Sequence, residues 1–388
     1  MTFGSMLRSP GPILALAARS ALPVLAAALL LPDTAGAEDP RPARFCSSCH
    51  QMQNKEWQTS SMAKAWTNPV FQAFLEDAKK DLGPGIQTDC VACHAPLGFV
   101  TGDLKMEDPK SREGVTCNFC HNVSEVEVSP RPASYTWDAS DPLLMRGPYK
   151  DADPAAAHGT VYSELFTKSD FCSSCHWYDR EPGVPIEATH VQWKASKAAA
   201  SGLQCQSCHM KPSRGKAALI AKKTRDQVWS HAFPGAHGDS LPDSVAAVAG
   251  AVEGGRLKLT VTNRQGGHSL PGGGGSFRWI ALEVVYRDGA GKEMARVPVQ
   301  GYGTVFADAA GKSPVPKWNA KKVARSAEIP ADDPRIEWAD IPAGARRAEA
   351  ILTYHFLHPS YVPALEARKV DLSLHRPRVL ARTVVEIP

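Results

Sequence analysis

The chain has 388 residues, with 44 Lys and Arg against 40 Asp and Glu and a formal charge of +4. That length predicts more than one domain, and 43% hydrophobic with 22% charged residues excludes a disordered or fibrous chain. The charge is close to balance and no basic run concentrates it, which excludes nucleic acid as a partner.

At the N-terminus, Arg8 and Arg19 precede an apolar run over 22–31, and Ala35, Gly36 and Ala37 stand before Glu38. This pattern predicts a secretory signal over 1–37 cut after Ala37, with the mature chain in the periplasm. An apolar core of about ten residues is short of a membrane span; an uncleaved anchor is the weaker alternative. No later segment is long and apolar enough to span, so a soluble protein is expected, one that could dock to a membrane-bound redox complex. Beyond residue 37 the chain keeps 42 basic and 39 acidic side chains.

One pattern then recurs five times: Cys46-x-x-Cys49-His50, Cys90-x-x-Cys93-His94, Cys117-x-x-Cys120-His121, Cys172-x-x-Cys175-His176 and Cys205-x-x-Cys208-His209. C-x-x-C-H is the c-type haem attachment pattern. Two thiols at this spacing reach the two vinyl groups of one porphyrin, and the adjacent imidazole reaches the iron from one face. A redox dithiol or half of a zinc site would explain a single copy. Neither explains a histidine directly after every second cysteine, nor why the five copies use all ten cysteines. The motifs predict five covalently attached c-type haems, with His50, His94, His121, His176 and His209 as proximal ligands.

Between the first two motifs, Trp57, Met62, Ala65, Trp66, Val70, Phe71, Phe74 and Leu75 recur mostly three or four apart, predicting two short helices divided near Pro69. Their apolar faces are expected to pack on porphyrin. Residues 129–157, rich in Pro, Asp and Ala, read as a long wrapping loop. Helix-like spacing follows His158 through Tyr162, Leu165 and Phe166, and another helix with Trp193 is expected over 190–200. The basic segment after His209 reads as a solvated or propionate-pairing helix, or as a docking face for a redox partner. From about 245 the period changes to two. Alternation over 256–262, 279–286 and 294–299, with strand formers over 350–356, predicts antiparallel strands, and the tail over 370–388 could add an edge strand. The expected fold is a mainly α multihaem domain with long loops over 38–244, plus a C-terminal antiparallel β domain, sandwich-like, over 245–388.

Five proximal histidines leave eight others. His158, His190, His231 and His237 are candidate far-side ligands, the last two bracketing Phe233-Pro234-Gly235. His268 is a further candidate because the glycines around it permit close backbone approach to a flat ring. His355, His358 and His375 read mainly as packing or surface residues. Met62 is a thioether candidate for the first haem.

Several segments resemble the periplasmic multihaem cytochrome c family related to the tetrahaem cytochrome of ammonia oxidisers, with octahaem hydroxylamine and tetrathionate enzymes as wider relatives. They are Trp57-Gln58-Thr59-Ser60-Ser61-Met62-Ala63, Gly114 to His121, Trp193 onward into Cys205 to Met210, His231 to Gly235, and Gly267 to Gly272. The resemblance spans most of 44–290. It implies distal roles for His158, His231 and His268. It also sets Met62 where relatives often carry a distal histidine, implying either a thioether ligand or an open iron. None of the motifs ends in the lysine of nitrite reductases. The leading expectation is an electron carrier between a quinol-linked or soluble donor and a terminal oxidoreductase. The alternatives are an enzyme acting on a small nitrogen or sulfur species at one open haem, and a sensor or structural haem protein.

Overall fold

Short helices carry the cysteine pairs. The computed structural model describes residues 39–152, 157–235, 245–264, 266–273 and 277–388; the expected export signal and His237 lie outside the described residues. The helices are α1 (Ala43–Ser47), α2 (Gln51–Thr59), α3 (Pro69–Leu82), α4 (Ile86–His94), α5 (Pro96–Thr101), α6 (Cys117–Asn122), α7 (Asp170–His176), α8 (Thr189–Lys194), α9 (Lys197–Ala200) and α10 (Cys205–His209). Residues three and four apart share a helix face, so a helical turn aims both sulfurs and the imidazole of a motif to one side. No described helix is long and apolar enough to cross a membrane.

The longest, α3, shows how the local sequence sets an element. Asn68 accepts from the backbone N–H groups of Val70 and Phe71, Pro69 occupies the first turn, and Gly83 at φ 85° ends the helix. Its buried face is Val70, Ala73, Phe74, Leu75 and Ala78. The helix before it already ends at Thr59, so Pro69 opens an element where it was expected to divide two. The helix expected over 190–200 is broken into α8 and α9 at Ser196, whose hydroxyl accepts from Ala199 N–H and caps α9.

Three expectations for this half change. The 129–157 loop contains strand Tyr135–Trp137, paired with Val123–Val126, and strand Leu144–Gly147, paired in parallel with Gly159–Tyr162. The helix expected after His158 is that last strand followed by a 3-10 turn, Glu164–Thr167; Thr160 and Val161, both β-branched, favour extended backbone. The basic segment after His209 is a hairpin of Pro212–Gly215 with Arg225–Trp229, where Pro212 and Gly215 disfavour helix.

Beyond Val245, besides a separate two-stranded sheet of Thr304–Ala307 with Lys322–Ser326, two larger antiparallel sheets face each other. Their strands are β1 (Ala246–Glu253), β2 (Arg256–Asn263), β3 (Trp279–Arg287), β4 (Glu293–Tyr302), β5 (Arg335–Asp340), β6 (Arg347–His355) and β7 (Arg378–Glu386), ordered β5-β2-β1 and β4-β3-β6-β7. Alternate residues point inward: Leu257, Leu259 and Val261 of β2 join Ile280, Leu282 and Val284 of β3 and Leu352 of β6 in one buried cluster. The tail supplies the edge strand β7. Strand β1, mostly alanine, glycine and valine, lacks a strong strand signature, and packing explains its small residues. A Cβ on Gly250 would lie 2.7 Å from Val385 Cγ2.

The helical and β parts, expected as two domains with the second packing on the first, lie within one compact unit, Glu38–Pro388. Phe74 of α3 stacks on Phe277 at 4.5 Å and 13°, with Tyr361 edge-on at 5.3 Å. Asp81 accepts from Trp318 Nε1 and Asn319 Nδ2, both at 2.8 Å.

Gly114 ties the first motif's segment to the third. It has φ 74°, and a Cβ there would sit 2.3 Å from Met62 O. Beside it, Val115 N–H donates to Met62 O at 2.9 Å and Val115 O accepts from Trp57 Nε1 at 2.8 Å. Gly114→Ala is therefore expected to lower stability by about 1–3 kcal/mol in denaturant unfolding; an unchanged midpoint would show that the loop relaxes freely.

Candidate haem-binding cavity

All fifteen Cys and His residues of the five motifs line one cavity of about 1720 Å³, beyond the roughly 300–1,000 Å³ of a single-ligand pocket. Its apolar lining includes Trp57, Phe71, Phe74, Phe166 and Phe277. Among the described residues no three Cys, His, Asp or Glu side chains converge as a metal-ion site. Burial pushes the Cys90 thiol up to about 11 and Cys120 up to about 12, while Cys46 and Cys205, each beside a thiol of another motif, are held below the ordinary thiol range. The motif residues thus fit covalent attachment of a large apolar ring.

Three motif histidines face a second imidazole across this space. His50 and His158 have ring centroids 6.1 Å apart, His121 and His231 6.3 Å, and His209 and His268 6.4 Å, with interplanar angles of 29°, 25° and 13°. Two imidazoles bound to opposite faces of one metal through nitrogen bonds of about 2.0–2.1 Å place their centroids about 6.3 Å apart. The three pairs therefore leave room for one iron each.

The orientation of each ring is fixed from behind. Nδ1 lies within hydrogen-bond distance of a backbone carbonyl at His50 (Ala217 O, 2.7 Å), His121 (Arg146 O, 2.6 Å), His209 (Pro234 O, 2.7 Å), His158 (Gly159 O, 2.9 Å), His231 (Trp229 O, 3.0 Å) and His268 (Ser269 O, 3.0 Å). A carbonyl can only accept, so Nδ1 carries the proton and Nε2 presents its lone pair to the cavity. Burial holds the pKa of His50, His209, His231 and His268 below the ordinary histidine range and brings His94 and His121 down to about 4. These rings are neutral at neutral pH, as ligation requires.

The remaining two motifs differ. His94 bonds through Nδ1 to Ala65 O at 3.1 Å and is flanked by Phe71, stacked at 4.0 Å and 13°. Among the described residues no imidazole stands opposite His94 or His176. His190, expected as a ligand, is buried at the cavity wall with Nε2 3.2 Å from Asp170 Oδ1 and its ring stacked on Trp177; it lies within electrostatic range of His176, and its Nδ1 is buried without a hydrogen-bond partner. Met62 lines the cavity, but the ring facing His50 is that of His158. His358 caps a short turn through Ser360 N–H, while His375 is buried at the cavity wall. Lys317, Glu187 and Arg278 also line the cavity. Sequence reasoning did not single them out, because a lone charged residue among strands carries no motif.

The motifs neighbour one another in a definite order. The thiols of Cys46 and Cys117 influence each other at short range, as do Cys93 with Cys175 and Cys172 with Cys205. Cys120 lies within electrostatic range of Cys172. The sequence could not show this, because spacing along the chain says nothing of which motifs meet.

The family model described as cytochrome c554 and c-prime matches residues 45–122, the stretch with the first three motifs. The chain is similar in structure to a penta-haem cytochrome c552 from Thermochromatium tepidum, with a TM-score of 0.71 and 20% identity over 90% of this chain and 100% of that one. An oxidised superoxide reductase and a hypothetical protein from Pyrococcus horikoshii OT3 each match 37% of this chain and 88% of their own at 10% identity. Their TM-scores of 0.18 and 0.17 carry no argument. No curated protein matches. At 20% identity the first likeness shows the fold, which is that of a multihaem c-type cytochrome.

The buried imidazoles make stability depend on pH in one direction. An unfolded histidine takes up a proton near 6.5, whereas folded His94 and His121 resist until about 4. Between these values the unfolded chain binds more protons, so stability falls as pH falls and is flat above 6.5. Denaturation midpoints measured across that window should decline toward pH 4; a flat profile would contradict the buried, neutral assignment.

Proposed function

We propose that the chain is a pentahaem c-type cytochrome of the periplasm, carrying electrons between a quinol-linked or soluble donor and a terminal oxidoreductase. The observation that carries this reading is five attachment motifs lining one cavity, neighbouring one another in the order first, third, fourth and fifth, with the second beside the fourth. Cys46, Cys49, Cys90, Cys93, Cys117, Cys120, Cys172, Cys175, Cys205 and Cys208 would form the thioethers. His50 with His158, His121 with His231 and His209 with His268 would hold three irons from both faces. Bound haem supplies a one-electron centre that needs no bond broken during transfer when both faces are ligated.

The protein's own part is to hold the imidazoles rigid, keep water from most of the ring edges and leave selected edges near the surface. Cys208 of the fifth motif is exposed. At the other end the hairpin tip over the first motif carries Ile220, 73% exposed, while Leu219 N–H donates to Cys49 O. Of the three ends of this order, the first and fifth motifs are thus where electrons would enter and leave, from redox proteins docking at the surface.

A second reading, an oxidoreductase acting on a small nitrogen or sulfur species, is favoured by one observation: no described imidazole faces His94 or His176. Stopped-flow and turnover assays separate the two. The carrier reading expects rapid reduction and reoxidation of all five haems by protein partners, with nitrite, hydroxylamine and sulfite leaving spectra and turnover at background. Steady turnover of any of these would transfer the assignment to the enzyme.

The ligand pairs make a prediction of their own. His158→Ala, His231→Ala and His268→Ala should each convert one low-spin ferric haem to high spin by electron paramagnetic resonance. A substitution that leaves the low-spin count unchanged would remove that ring from the ligand set.

A further inference from the structure

The hairpin that follows the last motif crosses back over the first. Ala217 O lies 2.7 Å from His50 Nδ1, and Leu219 N–H donates to Cys49 O at 2.8 Å. These bonds use the backbone and leave the side chains of the tip turned elsewhere. Leu219 is 57% exposed, and Met52 of α2, whose Cε would stand 4.0 Å from a Cβ on Gly215, is 48% exposed. Neither lines the haem cavity, so a haem filling that space leaves both at the surface. The charge around them has one sign. Residues 211–225 carry six Lys and Arg side chains and no carboxylate, and 41–55 carry three more with none. Asp151 pairs with Lys223 and Arg225, and Asp226 with Arg214. Among the described residues the exposed Lys55, Lys216 and Lys222 make no ion pair within 4.0 Å. Lys55 lies three residues from Met52, on the same face of α2, and the next residue, Glu56, is engaged by His231 N–H at 2.8 Å.

Pairing with haem propionates is the first role to weigh for these cations. It would account for Lys222, which lines the cavity, but not for Lys55 and Lys216, which do not. Nor does it account for two exposed apolar side chains between them. An apolar centre within a rim of like charge suits brief association, because rim charge steers the approach of a complementary surface. Resting on the reading that the chain carries electrons through a haem at the first motif, we propose that this face docks a redox protein with an acidic surface. Leu219 and Met52 are its centre, and Lys55, Lys216 and Lys222 its rim. Residues 217–219 bond directly to His50 and Cys49, so a partner seated on the tip stands over the first attachment site. One electron then passes between the partner's centre and the first haem iron. One is oxidised as the other is reduced, and no bond forms or breaks.

Stopped-flow reduction of the ferric holoprotein by a reduced plant-type [2Fe–2S] ferredoxin, a strongly reducing acidic protein, tests this. The second-order rate constant should fall steeply as sodium chloride is added. Lys55→Glu with Lys216→Glu should slow it about tenfold at low ionic strength, with the difference closing in high salt. Leu219→Ser should slow it about threefold at every salt concentration, because it removes apolar contact and no charge. Lys292→Glu, in the turn between β3 and β4, makes the same charge change at another place and should have little effect. Reduction by dithionite, a small donor that needs no docking face, should be equal in all of them. A wild-type rate indifferent to salt overturns the proposal, as does a double variant no slower than Lys292→Glu. So does a wild type that dithionite reduces and ferredoxin does not. Steady turnover of nitrite, hydroxylamine or sulfite would remove the carrier reading by itself, while a slowing specific to Lys55 and Lys216 would still support the docking face.

Discussion

The structure depends on a hydrogen bond made behind each imidazole. A buried histidine ring has two nitrogens and can meet an iron through only one, so the other needs a partner or costs free energy. Seven of the cavity-facing histidines meet this with a backbone carbonyl: His50, His94, His121, His158, His209, His231 and His268. Because the carbonyl only accepts, each ring is fixed in one tautomer with Nε2 inward. His158, His231 and His268 take the carbonyl from within two residues of themselves, so their orientation is a local property of the loop. The motif histidines draw theirs from distant segments, and those bonds stitch the fold. Ala217, for instance, is on the hairpin that follows the last motif, yet its carbonyl orients the first motif's ring.

This sharing makes single loops serve two sites. The stretch 231–235 sets His231 opposite His121 and also places Pro234 O behind His209. Phe233, between them, is held at φ 44°, a conformation unfavourable for an aromatic residue. A strained residue persists when its neighbours are fixed on both sides, and here both neighbours are fixed by ring positions. The third and fifth sites are consequently coupled through backbone as well as through the cavity. Displacing one would disturb the geometry of the other.

The residue patterns reveal much of this, and their limits are physical. C-x-x-C-H is legible because attachment and proximal ligation are local, confined to five consecutive residues. His268 stood out because its glycines signal close approach, and β2 and β3 because alternation marks a half-buried strand. What pairs with what is not local. His190 has the same kind of apolar helical neighbourhood as a ligand, and only the fold reveals Asp170 beside it. The Pro212–Gly215 hairpin and β1 were obscured for opposite reasons. The first is basic and short, and the second is built from residues chosen for closeness to β7, so neither shows a strong periodic signal.

The β sandwich has a function that its sequence alone does not suggest. A haem-rich helical region has little conventional core, since its apolar side chains line a cavity that a prosthetic group must fill. The sandwich has a continuous apolar core of its own, with Leu257, Leu259, Val261, Ile280, Leu282 and Leu352 fully buried. It can therefore remain ordered while presenting groups to the cavity from fixed backbone, as it does His268 toward His209. Side chains on short, loop-linked helices could not be held as rigidly against large rings. The sandwich is thus a wall as well as a domain.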